Sequence, residues 1–185
     1  MYIESTQLIS IRDKQFEMFI PEEQILARVD EIATEINLAY AELRPLLIVV
    51  LNGAFLFAAD LVRRLTVQPE VQFIRISTYG DQMISSETAQ ILLGMEIEVE
   101  DRDVIIVEDI VDTGYTTDFF REHLSQQSPK SVRLASLLFK PDNYRGTQAP
   151  DFIGFSIAPD FVVGYGMDYA QQGRELRGIY RLSAN

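Results

Sequence analysis

The run Val104-Ile105-Ile106-Val107 leaves little choice of fold. Four consecutive β-branched residues with no polar alternation form a strand covered on both faces, as in a parallel sheet lying between helix layers. Strands of this kind present ligand sites at their carboxyl ends, and the residues that follow fit that expectation. Glu108-Asp109-Ile110-Val111-Asp112 brings three carboxylates, and Thr113-Gly114-Tyr115-Thr116-Thr117 brings hydroxyls, a glycine and amides free to face an anion. Glycine admits dihedrals that other residues avoid, and successive amides in such a turn form a concavity that binds anions. Thr116 or Thr117 is expected as the N-cap of the next helix, so the loop also meets a helix's positive end. The stretch 104–117 reads as strand, binding loop and helix start.

The same grammar recurs on both sides. Leu46-Leu47-Ile48-Val49-Val50-Leu51 is a second continuous apolar run, followed by Asn52-Gly53 and a helix over 54–65 with Phe55, Ala59 and Val62 at helical spacing. Further strands are expected over 71–76, ending at Ser77-Thr78-Tyr79-Gly80, and over 132–139, turning away at Lys140-Pro141-Asp142-Asn143. Pro21-Glu22-Glu23 opens a surface helix with proline and acids in its first turn and Ile25, Val29, Ile32 and Ile36 on one face. Ahead of it, 8–11 and 16–20 alternate apolar and polar residues as peripheral strands do. Residues 81–90 follow neither period, and long loops inside compact domains are often lids. The helix over 117–124 should end before Pro129-Lys130. His123 within it reads as a surface or helix-end histidine, since no second feature points at it. The glycine-bearing apolar segments 151–157 and 161–166 are expected in a small lobe. Strands alternating with helices from 46 to 139 make an α/β protein: a mainly parallel sheet flanked by helices, a Rossmann-like core, with a hood lobe built from the chain termini. A single domain is expected, with its core at about 21–145 and its hood at about 1–20 and 146–185. Asn52-Gly53, Thr78-Tyr79-Gly80, 108–117 and Lys140 then converge at one edge of the sheet.

Composition removes several chemistries. The 185 residues contain no cysteine and one histidine, so thiolate nucleophiles, disulfides and cysteine- or histidine-built metal sites are excluded, and any metal is held by oxygen. A net charge of −12 opposes binding to nucleic acid or anionic membranes. No apolar run approaches the roughly twenty residues that span a bilayer, and Met1 begins no leader-like stretch, so a cytoplasmic enzyme is expected. A phosphate-ester ligand must be held against the overall field by amides, a helix terminus and a divalent cation. Glu108 and Asp109 are placed for the cation.

Together these segments resemble the type I phosphoribosyltransferases, and within them the hypoxanthine and hypoxanthine-guanine enzymes. The stretch 104–117 is similar to that family's motif for 5-phospho-α-D-ribose 1-diphosphate (PRPP). Phe152-Ile153-Gly154-Phe155 and Phe161-Val162-Val163-Gly164-Tyr165-Gly166-Met167-Asp168-Tyr169, with Arg174 beyond, resemble the purine branch's base-binding and C-terminal segments. The resemblance implies that N9 of a 6-oxopurine, hypoxanthine or guanine, attacks the anomeric carbon of PRPP with Mg²⁺, releasing pyrophosphate and a nucleoside monophosphate in purine salvage. By the same resemblance Glu108 and Asp109 meet the ribose hydroxyls and the metal, and Asp112 is the general base at purine N7. Thr113, Gly114, Tyr115, Thr116 and Thr117 cradle the 5′-phosphate. Lys140 donates to O6, Phe161 stacks on the base, and Val162 offers backbone contacts at its edge. Asp168 holds a second Mg²⁺ and lies near the purine's C2 side, and Arg174, with Asn52 and Gly53, binds pyrophosphate. Thr78 and Tyr79 stand at the base of the mobile loop. A homo-oligomer, dimer or tetramer, is implied.

This chain departs from the family at two places. Asn52 stands where a basic residue is common, and Tyr115 where a lysine or a small polar residue is common. The resemblance also implies a cis peptide at Leu51-Asn52. Two rival readings use the same strand-end carboxylates. A PRPP-sensing regulator is disfavoured by the absence of a DNA-binding addition and by the acidity, and a receiver-like signalling domain has no place for the loop after Tyr79 or the apolar C-terminal lobe.

Overall fold

The computed structural model describes residues 8–79, 88–93 and 97–183. Its centre is a six-stranded sheet built from β3 (Leu46–Leu51), β4 (Glu70–Tyr79), β5 (Thr88–Leu93), β6 (Asp103–Val111), β7 (Ser131–Phe139) and β8 (Phe152–Ser156), in the order β5-β4-β3-β6-β7-β8. All neighbours run parallel except the edge pair β4–β5. The continuous apolar runs are legible in the result: Leu47 and Val49 face one core layer with Ile105 and Val107, while Leu46, Ile48 and Val50 face the other with Val104 and Ile106. Successive residues of a strand point to opposite faces, so only a sheet covered twice makes every one of them apolar.

The covering helices are α1 (Glu22–Ala39) and α2 (Phe55–Val62), packed against the first layer, and α3 (Tyr115–Ser125), packed against the second. In α1 the cap is Pro21, Glu22 and Glu23 occupy the first turn, and Ile25, Val29, Ile32, Ala33 and Ile36 are buried, the spacing of one helical face. Arg28 on α1 reaches across to β8, donating to the carbonyls of Ile153 (2.7 Å) and Gly154 (3.0 Å), which occupies acceptors on an otherwise open sheet edge. Among the described residues no helix is long and apolar enough to cross a membrane.

A second, antiparallel sheet forms the hood, in the order β1-β2-β10-β9, from β1 (Leu8–Ile11), β2 (Lys14–Ile20), β9 (Val162–Val163) and β10 (Ile179–Leu182). It joins the two ends of the chain around Ile11, Phe16, Val163 and Tyr180.

Four expectations change. The inward face of α2 is Phe57, Ala58 and Leu61, with Ala54 before them, whereas Phe55 is exposed and Ala59 also faces out. The segment 151–157 belongs to the main sheet, pairing with β7 from Ala135↔Phe152 to Phe139↔Ser156, and not to the hood. Strand β6 continues through Val111 because its ladder with β7 runs to Val111↔Phe139, so Glu108 and Asp109 lie on a strand. Of the loop over 81–90, residues 88–90 are strand and 81–87 lie outside the described residues.

Burial separates two leucine-class positions on the same helix. Ile32→Ala removes a side chain with no exposed surface and should cost about 2–5 kcal/mol, whereas Leu38→Ala, at a residue 76% exposed, should fall within about 0.5 kcal/mol. Urea midpoints at equal m-value measure both.

Candidate active site

The order β4-β3-β6-β7 places a switch point between β3 and β6. From β3 the chain crosses through α2 to β4 on one side, and from β6 through α3 to β7 on the other. Crevices in open α/β sheets lie outside the carboxyl ends of the strands at such a point. Here those ends carry Leu51-Asn52-Gly53 and the acidic stretch of β6. The Leu51-Asn52 peptide is cis, as the resemblance implied.

Glu108 is 6% exposed, with Asp109 beside it. Burial, then the charge of Asp109 and a hydrogen bond to it, push the Glu108 carboxyl well above its usual range. Burial likewise raises Asp109 to about 6, opposed by amides of its own stretch, by Arg174 and by Glu108. The two directions describe one coupled pair, in which each carboxyl is raised by burial and each acts on the other. Gly53 makes room for Asp109. A Cβ there would stand 1.7 Å from Oδ2 of Asp109, so the loop after β3 lies directly on the Asp109 carboxylate.

Asp112 lies just past the strand end. Its Oδ2 accepts from Lys140 Nζ and its Oδ1 from Asn143 Nδ2, both at 2.8 Å. Burial alone would raise its carboxyl, but these two hydrogen bonds outweigh burial and hold it below the usual range. Lys140 is itself only 7% exposed, and its amide donates to Val111 O at 2.9 Å, which fixes the end of β7 beside the end of β6.

The loop 113–117 differs from expectation in its cap. Gly114, at φ 88°, caps α3, while Thr117 is inside the helix and donates to Gly114 O at 2.9 Å. The left-handed backbone and the Tyr144 ring, whose Cε2 would lie 2.4 Å from a Cβ at Gly114, both require glycine. The Arg145 amide donates to Thr113 O at 2.9 Å, so the turn after Lys140 braces the loop from outside.

Two clefts meet here. One is lined by Glu108, Asp112, Thr113, Gly114, Thr116 and Thr117, with Val50 and Ile76 as apolar walls. The other is lined by Asn52, Gly53, Asp109, Lys140, Phe161, Val162, Asp168 and Arg174, with Met167. Ile110 and Asp112 belong to both. Phe161 is 44% exposed and backed by Phe16 and Tyr169, with ring centroids 6.2 and 5.8 Å away. Asp168 pairs with Arg174 at 2.5 Å and accepts from the Gln171 amide at 2.7 Å. It lines the same cleft as Asp109, and among the described residues no three acidic or histidine side chains gather to hold a metal. Tyr115 is on the exposed rim of the loop. Thr78 and Tyr79 end β4, their side chains lying outside the described residues. His123 sits in the last turn of α3 and lines neither cleft.

Sequence reasoning missed Asn143, Ile110, Met167 and Tyr144. Asn143 had a faint signal in the Lys140-Pro141-Asp142-Asn143 turn, while the apolar three are indistinguishable from core until the cleft is seen.

A parallel sheet with a glycine-turned anion loop at its switch point and an aromatic hood above it defines a class of enzymes that handle ribose phosphates. A family model described as the phosphoribosyl transferase domain matches residues 18–170. Over 162 residues the chain is 42% identical to the hypoxanthine phosphoribosyltransferase of Escherichia coli K12, covering 86% of this chain and 91% of that protein. It is 38% identical to the hypoxanthine-guanine phosphoribosyltransferase of Bacillus subtilis 168, covering 86% and 88%. A crystal structure of a Bacillus anthracis hypoxanthine-guanine phosphoribosyltransferase, with HEPES in its active site, superposes with a TM-score of 0.86 at 33% identity, covering 94% of this chain and all of that one. The chain belongs to the phosphoribosyltransferase family, in the branch of the hypoxanthine and hypoxanthine-guanine enzymes.

The raised Asp109 carboxyl carries a linkage prediction. Its folded value of about 6 lies above the unfolded 3.8, so ionising it costs stability progressively as pH rises from about 4 to about 6. Asp109→Asn removes that cost. At pH 7.5 the variant should be more stable than the wild type by roughly 1–3 kcal/mol, with the gain vanishing below about pH 4. Urea titrations at the two pH values read it directly.

Proposed function

We propose that the two clefts hold PRPP and a 6-oxopurine, and that the enzyme transfers the 5-phosphoribosyl group to purine N9, releasing pyrophosphate and forming IMP or GMP in purine salvage. The observation that carries this reading is the Asp112–Lys140 pair. A 6-oxopurine in its N7–H form presents a donor at N7 beside an acceptor at O6. A carboxylate and an ammonium 2.8 Å apart present the complementary acceptor and donor. A 6-aminopurine would set its amino group against Lys140, leaving donor facing donor, which is how buried polar groups reject a near-isostere.

The roles follow from position. Thr113, Gly114, Tyr115, Thr116 and Thr117 receive the 5′-phosphate with amides and hydroxyls at the positive end of α3. Glu108 and Asp109 face the ribose hydroxyls. As N9 attacks C1, the bond from C1 to the diphosphate oxygen breaks and the N7 proton passes to Asp112. Positive charge develops on the ribose, where the carboxylates lie, and negative charge on the diphosphate, where Asn52, Gly53 and Arg174 lie. Phe161 and Ile110 line the walls between which the base stacks, Val162 offers its backbone at the purine edge, and Asp168 completes the pyrophosphate side. Hard carboxylate oxygens suit Mg²⁺, which is commonly held by one or two carboxylates together with substrate phosphates. Glu108 and Asp109 would hold it at the ribose, and Asp168 at the diphosphate. Bound there, Mg²⁺ neutralises charge on the leaving group. Thr78 and Tyr79 are assigned to the base of the closing loop on resemblance alone. A cytoplasmic location and a dimer or tetramer belong to the same reading.

Pyrophosphate release from PRPP and Mg²⁺ with each base in turn tests it. Hypoxanthine, guanine or both should turn over and adenine should not. No turnover with any base would sink the assignment. Asp112→Asn keeps the shape but not the basicity, so kcat should fall about 10²–10⁴-fold. An unchanged kcat removes Asp112 from the role of base.

A further inference from the structure

Between the purine-edge residue Val162 and the pyrophosphate-side residues Asp168 and Arg174, the hood makes a turn of three consecutive left-handed residues: Gly164 (φ 99°), Tyr165 (φ 47°) and Gly166 (φ 99°). A side-chain-bearing residue in that region is sparsely populated and persists only where its surroundings hold it. What holds Tyr165 lies in the other part of the molecule. Its ring is buried, 4% exposed, and its hydroxyl donates to Asp60 Oδ2 on α2 at 2.6 Å. Asp60 also faces the guanidinium groups of Arg64 at 3.6 Å and Arg63 at 3.9 Å, and Arg64 is tied to Asp30 on α1. Burial, reinforced by the Asp60 carboxylate, pushes the tyrosine hydroxyl far above its usual value, so it remains a donor throughout the working range of pH.

The turn rests directly on the pyrophosphate loop. A Cβ at Gly166 would stand 2.1 Å from Gly53 O, just as a Cβ at Gly53 would strike Asp109. Gly166 also exchanges two hydrogen bonds with Arg174: its amide donates to Arg174 O at 3.0 Å, and its carbonyl accepts from Arg174 Nη1 at 2.7 Å. The height of this turn above α2 therefore sets the positions of Gly53 and the Arg174 guanidinium together.

We propose that Asp60 and Tyr165 are a positioning pair for the diphosphate end of the site: their hydrogen bond clamps the hood turn onto the loop after β3 and holds Gly53 and Arg174 in register. The pair touches no substrate in the assigned roles, and the inference rests on the reading that this end of the cleft binds pyrophosphate. The purine end has independent support. Asp112, Lys140 and Asn143 are fixed to one another at the ends of β6 and β7, and Phe161 is packed on Phe16 and Tyr169. Loss of the clamp should loosen one substrate and not the other.

The test is steady-state kinetics in both directions on the wild type, Tyr165→Phe, Asp60→Leu and Asp60→Asn, with thermal midpoints recorded for each. Tyr165→Phe and Asp60→Leu should raise KM for PRPP and, in reverse, for pyrophosphate by about tenfold, the scale of one hydrogen bond to a charged group. KM for the purine should stay within about twofold on the same argument. Asp60→Asn, whose amide oxygen still accepts from the tyrosine, should recover most of the PRPP affinity. A merely structural role would instead lower the thermal midpoint and the active fraction while leaving every KM alone. An active wild type whose Tyr165→Phe variant keeps its KM for PRPP and pyrophosphate, or loses both substrates equally, overturns the pairing alone. A wild type inert with every purine overturns the functional reading and the pair's role with it.

Discussion

Two adjacent carboxylates, Glu108 buried and Asp109 half-buried, near the end of a strand covered on both faces are the constraint around which the site is arranged. Glu108 is almost inaccessible, and burial raises both it and Asp109. Such a pair is costly wherever it is desolvated, because water no longer screens the repulsion. The fold accommodates it by the hydrogen bond within the pair, by the amides around Asp109 and by Arg174. The apolar layers on either side of β3 and β6 supply the burial that offsets the remainder. A site that holds ionisable oxygens in this condition is poised for whatever relieves them, a divalent cation or developing positive charge on a sugar.

The division of labour between core and hood follows from topology. Strands β3 and β6 are neighbours with parallel register, Val49 opposite Val107, so the loop after β3 comes down on Asp109 of β6 without any long connection. The core therefore supplies the charged and anion-binding parts. The hood, closed by pairing β2 with β10 from opposite ends of the chain, supplies an aromatic surface and then returns through Gly166 to touch Gly53. Lys140 is shared between these tasks. It ends a core strand, yet its ammonium meets Asp112 in the cleft roofed by Phe161.

Legibility in the sequence tracked how much each pattern discriminates. Strand β3 matches its apolar run residue for residue, because no other arrangement buries so many consecutive aliphatic side chains, and β7 differs from expectation by one residue. Helix α2, Phe55-Leu56-Phe57-Ala58-Ala59-Asp60-Leu61-Val62, is apolar on nearly every face, so its period could not choose between Phe55 and Phe57. Strand β6 outlasts its apolar run because pairing with β7 holds Glu108 opposite Ser136, a backbone effect that side-chain polarity conceals. The edge strand β8 was assigned to the hood because it lies near the chain's end and contains glycine. The glycine has a local reason: a Cβ at Gly154 would stand 2.2 Å from Leu137 O. The cap of α3 went to Gly114 instead of a threonine because the Tyr144 ring lies on it, a contact thirty residues away in sequence that no local motif reports. The resemblance named the chemistry at Asp112 and Lys140, but the hydrogen bond from Asn143 and the tie from Tyr165 to Asp60 join segments whose pairing only the fold defines.

A net charge of −12 repels a triply phosphorylated sugar at long range, and the site's layout removes the contradiction. Long-range repulsion between protein and ligand is screened over about 8–10 Å at physiological ionic strength, so affinity is decided by groups in contact. In the proposed assignment the groups at the 5′-phosphate are amides and hydroxyls at the head of α3, which bring partial positive charge without a counterion to desolvate. The side assigned to the diphosphate has Arg174, itself held by Asp168, and the uncharged Asn52. An amide side chain at position 52 supplies no fixed charge, so in this assignment more of the neutralisation falls to backbone position. Backbone position is what the contact of Gly166 on Gly53 controls. The weaker the side-chain charge at the diphosphate, the more the enzyme depends on a loop held at the right height.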